Sequence, residues 1–329
     1  CKHYTYGHSS MVPTSLVLHS GGSHTVQPRL SDRGRRVVAL PSTVMTRNGA
    51  CEDAGPAPAA PTMPLVDYRP GLDGLRAIAV ALVLAFHLDH LPGGILGVDA
   101  FFVVSGWLIT WKLLGEIEHG GSVRLRRFWA SRARRLLPAS LLVLAVVAVV
   151  WPLADIVVSG LRRDLLWAMA WAANWGTITA GGDYWARFGN PSPLNHFWSL
   201  AIEEQFYVVY PVIVVAALRV GGRRALTVLL AVLSVVSIIS SFALASDFDR
   251  VYYGTDTRAF ELLAGGLFSL WWTSTSRRSP SLLSRQVRDV VGGAGLALSI
   301  AAWVTVGQTS ERLPRGGFAL QALATCAML

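Results

Sequence analysis

An apolar segment near residue 80 carries two ionisable side chains at a helical spacing. Arg76 and His87 lie eleven residues apart within LRAIAVALVLAFHLDH. Eleven residues are close to three helical turns, so both side chains fall on one side of a helix, about 16 Å apart along its axis. Histidine exchanges protons near neutral pH, and arginine binds anions. Ionisable groups inside apolar spans are rare and usually functional, so both are candidate functional residues. A lipid-contacting Arg76 and a neutral, hydrogen-bonded His87 are the structural alternatives.

A second apolar segment, LNHFWSLAIEEQFYVVYP at residues 194–211, is denser in polar groups. His196, Ser199 and Glu203 recur at intervals of three and four residues, so they share one helical face, and Tyr207 lies close by. Carboxylates inside an apolar helix must find cations or hydrogen-bond donors, which favours a functional site. Acids at a solvated helix start, stabilised by the helix dipole, are the alternative.

A third segment, GVDAFFVVSGWLI at residues 97–109, combines an acid with small residues. Asp99 could orient the His87 imidazole, much as a carboxylate fixes the imidazole tautomer in hydrolytic triads. The small pair Ser105 and Gly106 predicts close packing against another helix. One functional and one structural role are therefore predicted for this segment.

A fourth segment, YYGTDTRAFELLAGG, places charges at the start of another apolar run. Asp256 and Arg258 precede the run, and Glu261 lies within it. A structural ion pair between Arg258 and Glu261 explains part of this pattern without any chemistry. No histidine pair of the H-x-x-x-H type occurs in the sequence, so no metal site is predicted.

The composition predicts a membrane protein. Of 329 residues, 52% are hydrophobic and 15% are charged, against roughly 25% charged in soluble domains. Mean hydropathy is +0.44. The apolar content excludes a disordered chain, and three cysteines in this length exclude a disulfide scaffold. The net charge of +9 does not predict a nucleic-acid partner, because the arginines lie between apolar runs, as in the cytoplasmic loops of membrane proteins.

Apolar runs of spanning length predict an all-α fold, a polytopic transmembrane helical bundle of about seven or eight spans in the lipid bilayer. Seven runs are placed at 75–92, 95–114, 137–157, 198–218, 225–245, 258–274 and 289–306. The weaker run 164–180 either makes an eighth span or, as the positions of the arginine-rich loops favour, re-enters or lies in the interface. The arginine-rich loop at 112–137 is predicted to be cytoplasmic.

The two ends of the chain depart from this pattern. Residues 1–62 are rich in Ser, Thr, Pro and Gly and hold no long apolar run, so a disordered or non-native N-terminal extension is predicted. Residues 63–329 form the predicted transmembrane domain. Its last apolar run, 318–329, has twelve residues, fewer than the about 20 that a span needs. The domain is therefore predicted to be incomplete at its C-terminus.

Five motifs together resemble the acyltransferase 3 family of integral membrane acyltransferases. They are Arg76 with ten residues before His87, GVDAFFVVSGWLI, FWASRARRLLP with Arg132 and Arg135 in R-x-x-R, HFWSLAIEEQFYVVYP, and YGTDTR. The matches run in order from about residue 68 to 266.

The resemblance implies an O-acetyltransferase of the bacterial plasma membrane. Such an enzyme transfers an acyl group, usually acetyl, from cytoplasmic acyl-CoA to a hydroxyl of an extracytoplasmic glycan or other acceptor. Acyl-CoA is then a donor substrate, and no permanently bound cofactor is implied. Some members add an extracytoplasmic esterase-like domain, which is expected outside these residues. The family's histidine corresponds to His87, its glutamate to Glu203, and its arginines to Arg76, Arg132 and Arg135.

The residues suit this chemistry, although they leave several alternatives open. Arginine forms bidentate contacts with phosphates such as those of CoA. His87 could act as a general base or carry the acyl group itself. A membrane transporter without acyl transfer is the alternative function, because intramembrane charges also mark substrate pathways. Asp99 is predicted to join His87 and Glu203 in catalysis. Acceptor binding or structural support is predicted for His196, Ser199, Tyr207 and Arg258.

Overall fold

The computed structural model describes residues 70–154, 158, 160–180, 192–278, 285–307 and 310–329, with two short strands before them. The chain divides into two compact units, residues 1–62 and 63–329. In the first unit, β1 (Val44–Met45) pairs with β2 (Cys51–Glu52) in antiparallel fashion. The rest of that unit, and with it the predicted disordered or non-native extension, lies outside the described residues.

The second unit is helical, which confirms the all-α prediction. A short 3₁₀ turn (Pro92–Leu96) precedes the second helix, and a π turn (Leu313–Gly317) precedes the last. Within the described residues, five helical segments are long and apolar enough to cross a membrane, namely α1, α2 with its preceding turn, α3, α6 and α9. The helices are α1 (Pro70–His87), α2 (Gly97–Gly120), α3 (Leu125–Leu153), α4 (Leu161–Met169), α5 (Ala173–Thr179), α6 (Phe197–Ala243), α7 (Phe248–Tyr253), α8 (Thr255–Arg278), α9 (Arg285–Thr305) and α10 (Phe318–Met328).

Helix α6 contains a break that divides two apolar runs. The backbone leaves helical geometry at Gly221 and Gly222, and Gly222 has a φ of +63°. Left-handed backbone of this kind favours glycine, because other residues place a Cβ against the following carbonyl. Each half of α6 exceeds the about 20 residues that a span requires. The two halves match the two runs predicted at 198–218 and 225–245.

The run at 164–180 is not one continuous helix. It forms α4 and α5, and the backbone between them turns at Trp171, whose φ is +55°. Helices of nine and seven residues are each too short to cross the hydrocarbon core. The break agrees with a re-entrant or interfacial segment, and its depth in a bilayer stays a prediction.

Helices α2 and α8 pack with their backbones almost in contact. A Cβ built on Gly106 of α2 would lie 1.8 Å from the Leu262 carbonyl oxygen. A Cβ on Gly265 of α8 would lie 2.0 Å from the Val103 carbonyl oxygen. Each glycine therefore admits the backbone of the other helix, which confirms the close packing predicted from Ser105 and Gly106.

Replacement of Gly106 by alanine is expected to destabilise the protein, because the added methyl group overlaps the Leu262 carbonyl. Overpacking of this kind costs about 1–3 kcal/mol. Thermal unfolding of the detergent-solubilised protein measures the effect. Gly115→Ala is the matched control, since Gly115 lies on the same helix with nothing within 4 Å of its added Cβ. Equal melting temperatures for the two variants would contradict the packing argument.

Candidate active site

Two histidines meet where α1 ends and α6 begins. The ring centroids of His87 and His196 are 4.4 Å apart, and the rings meet edge to face at 75°. Both side chains are exposed. Desolvation on the packed side of the ring nevertheless lowers the pKa of His196, so its neutral form dominates at neutral pH. The two segments predicted to carry chemistry are thus neighbours in space.

A cavity of about 310 Å³ lies between α1, α2, α3 and α6. Most of its wall is apolar, and its polar groups come from three of the four helices. Six of the residues predicted from the sequence line it: Arg76, Arg132, Arg135, Ser199, Glu203 and Tyr207.

The histidine pair lies one helical turn beyond the cavity. Val83 lines the cavity and precedes His87 by four residues, while Ser199 lines it and follows His196 by three. Because α1 ends where α6 starts, the two helices run past each other in opposite directions. Arg76, eleven residues before His87, therefore lies about 16 Å away along α1, next to the part of α6 that follows Ser199.

Arginine side chains form the opposite end of the cavity. The Arg132 guanidinium lies 4.7 Å from the centre of the Tyr207 ring and 5.7 Å from that of Phe128. The Trp129 Nε1–H donates to the Tyr207 carbonyl oxygen at 3.0 Å, which ties α3 to α6 at this point. Arg76 lies 5.0 Å from the Phe101 ring centre. Arginine packed on an aromatic ring in this way is a common arrangement at anion-binding sites.

Glu203 is a buried acid between these cations. Its side chain is 6% exposed, and the groups that act on its carboxylate are Ser105, Tyr207, Arg76 and Arg132. Its Oε1 is buried without a hydrogen-bond partner. A buried carboxylate between two cations offsets their charge and fixes their positions.

The structure places Asp99 in a different cluster. Its Oδ2 pairs with Nη2 of Arg258 at 3.2 Å, and Nε of Arg258 pairs with Oε1 of Glu261 at 3.2 Å. All three side chains have no exposed area. The ion pair between Arg258 and Glu261 is present as predicted. Among the described residues, Asp99 makes no contact with His87. The structure therefore does not support the prediction that Asp99 orients the His87 imidazole.

A hydrogen-bonded triangle missed by the sequence reasoning holds α5 against α6 and α8. The Gln205 amide donates to Asn174 Oδ1 at 3.0 Å, and the Asn174 amide donates to Thr255 Oγ1 at 2.9 Å. The Thr255 hydroxyl donates back to Gln205 Oε1 at 2.6 Å. Gln205 and Asn174 stand out in the sequence only as amides in apolar runs, and their pairing joins segments far apart in the chain.

The comparisons with known proteins agree with this geometry. A family model described as an acyltransferase domain matches residues 69–328. The chain is 39% identical over 266 residues to the peptidoglycan O-acetyltransferase OatA of Listeria monocytogenes, an overlap of 78% of this chain and 42% of that protein. It is 35% identical over 268 residues to the O-acetyltransferase OatA of Staphylococcus aureus, covering 78% and 44%. No solved structure matches the chain.

The chain thus spans less than half the length of these curated relatives. The family match nevertheless covers all ten helices and every residue that lines the cavity. It also includes the histidine pair and the buried cluster around Arg258. On this evidence the resemblance seen in the sequence is confirmed, and the chain belongs to the acyltransferase 3 family.

Proposed function

We propose that this chain is the membrane-embedded part of an O-acetyltransferase of the bacterial plasma membrane. It moves an acetyl group from cytoplasmic acetyl-CoA to a hydroxyl of an extracytoplasmic carbohydrate. The observation that carries the proposal is a single cavity with arginines at one end and paired, exposed histidines just beyond the other. The names of two relatives, both O-acetyltransferases and one acting on peptidoglycan, support the acetyl group and the glycan acceptor.

The arginine end suits the phosphates of the donor. Arg132 and Arg135 line the cavity, and neither makes an ion pair with an acid among the described residues. Guanidinium groups that are not in ion pairs can make bidentate phosphate contacts. The thioester of a donor held there would extend along the apolar wall toward the histidine end.

The histidine end suits the acyl transfer itself. As a base, the neutral His87 imidazole takes the proton of the acceptor hydroxyl while the hydroxyl oxygen bonds to the acyl carbon. The carbon–sulfur bond then breaks, and the thiolate takes the proton from the imidazolium, so CoA leaves as a thiol. As a carrier, the His87 imidazole bonds to the acyl carbon while the carbon–sulfur bond breaks, and the thiolate takes the remaining ring N–H proton, so CoA leaves as a thiol. The acceptor hydroxyl oxygen then bonds to the acyl carbon and displaces the imidazole, which takes the hydroxyl proton.

The remaining predicted residues support these two ends. Glu203 positions Arg76 and Arg132, and the exposed His196 ring holds the orientation of His87. Ser199 and Tyr207 line the route between the ends. Asp99 acts through its ion pair with Arg258, where it supports the bundle.

Replacement of His87 by alanine is expected to lower O-acetylation by about 10²-fold or more, the usual contribution of general acid–base catalysis. The measurement is glycan O-acetylation in cells that carry the full-length gene, with expression levels matched. His90→Ala is the control, because His90 is an exposed histidine just past the end of α1 and outside the cavity wall. Acetylation that persists in His87→Ala would remove His87 from the mechanism.

Replacement of Arg132 by alanine is expected to raise the KM for acetyl-CoA by about tenfold or more, because a charged hydrogen bond contributes about 1.5–3 kcal/mol. Initial rates of CoA thiol release by the purified full-length protein measure the change. Arg134→Ala, an exposed arginine two residues away that does not line the cavity, is expected to keep the wild-type KM. If both variants show the same KM, the cavity arginines do not bind the donor.

A further inference from the structure

A group of four cations extends beyond the arginine end of the cavity. Lys112 of α2 is half-buried. The charges that act on its ammonium are those of Arg132, Glu116, Arg127 and Arg135, in decreasing order. The lysine therefore lies among three arginines of α3 with one acid nearby. Like charges this close repel one another, and an anion bound between them would remove the repulsion.

The acid near Lys112 is Glu116, and it also holds the backbone at the start of α3. Oε1 of Glu116 accepts a hydrogen bond from the Arg124 backbone N–H at 3.1 Å. None of the four cations makes an ion pair with an acid in the part of the chain that the structure describes. Two cations elsewhere in the described bundle do have such partners, since Arg223 pairs with Glu118 at 2.6 Å and Arg250 with Asp256 at 2.8 Å.

The position of Lys112 connects the group to the cavity. Phe101 lines the cavity from α2, and Lys112 follows it by eleven residues. Both side chains therefore lie on one face of α2, about 16 Å apart along the axis. Arg132 belongs to both places, since it lines the cavity and acts most strongly among the charges on Lys112. Lys112 is also the one lysine in residues 63–329, where every other basic side chain except histidine is arginine.

We propose that Lys112 and Arg127 form a second anion subsite, which takes the 3′-phosphate of the CoA ribose. This inference rests on the proposed function, in which CoA is the donor. The pantetheine arm leaves the nucleotide from its 5′-diphosphate, so the diphosphate lies nearest the cavity, at Arg132 and Arg135. The 3′-phosphate then lies farther out, beside Lys112. An ammonium binds such a terminal phosphate as a compact point charge.

The test compares binding of CoA and of 3′-dephospho-CoA to the purified full-length protein in neutral detergent, by titration calorimetry. The wild-type protein is expected to bind CoA about tenfold more tightly, which corresponds to about 1.4 kcal/mol. Lys112→Met is expected to reduce this preference to less than threefold while its affinity for 3′-dephospho-CoA stays within twofold of wild type. Lys112→Arg should keep the preference, and so should the control Arg126→Ala, which changes an exposed arginine of the same segment.

Four outcomes would overturn the inference in different ways. A full preference for CoA in Lys112→Met would show that the 3′-phosphate does not contact Lys112. Equal weakening of both nucleotides would assign Lys112 to the diphosphate or to the fold. A further titration adds phosphatidylglycerol to the wild-type protein and to Lys112→Met. If the lipid competes with both nucleotides equally, and only when Lys112 is present, the cations bind a lipid headgroup. If neither nucleotide binds the wild-type protein, the donor assignment of the proposed function fails as well.

Discussion

Arg258 is enclosed completely between helices, and the bundle is organised around it. Its guanidinium pairs with Asp99 of α2 and Glu261 of α8, and it lies 4.1 Å from the centre of the Phe318 ring of α10. A buried cation of this kind is tolerated only with its partners in place, because loss of one partner leaves a charge without compensation. The ion pairs therefore fix α2 against α8, and the glycine contact at Gly106 allows the two backbones to come together.

This fixed pair of helices determines where the cavity can form. While Asp99 packs toward α8, the neighbouring residues Gly97, Val98, Phe101 and Phe102 of α2 line the cavity with α1, α3 and α6. Beside this cavity, α1 and the first half of α6 run in opposite directions. This arrangement places His87 beside His196 and Arg76 near Glu203. The triangle of Gln205, Asn174 and Thr255 then holds α5 against the same part of α6. The active-site residues are thus held by rigid elements on both sides.

The features that could be predicted from the sequence are the helical faces, because these depend only on local periodicity. The eleven-residue spacing of Arg76 and His87 and the spacing of three and four residues from His196 to Glu203 each define a helical face, and both faces lie at the site. Partners between distant segments could not be predicted in this way. Asp99 was expected beside His87 because both carry chemistry, but its position on α2 turns it toward Arg258. The hydrogen bonds of Gln205 could not be predicted either, because hydrogen bonds between helices leave no periodic pattern in the sequence.

The size of the cavity separates recognition of the donor from the chemistry. About 310 Å³ is near the lower limit of small-molecule sites, which run from about 300 to 1,000 Å³. In the proposed function, such a space suits the slender pantetheine arm of CoA with its acyl group and is too small to enclose the whole nucleotide as well. The nucleotide must then be held at the arginine end, where Lys112 and the arginines of α3 supply charge over an open surface. On the same proposal, binding energy from this distant part of the donor positions the thioester at the histidines. The proposed site therefore recognises its donor through phosphate charge, while the exposed histidine end stays free to meet an acceptor.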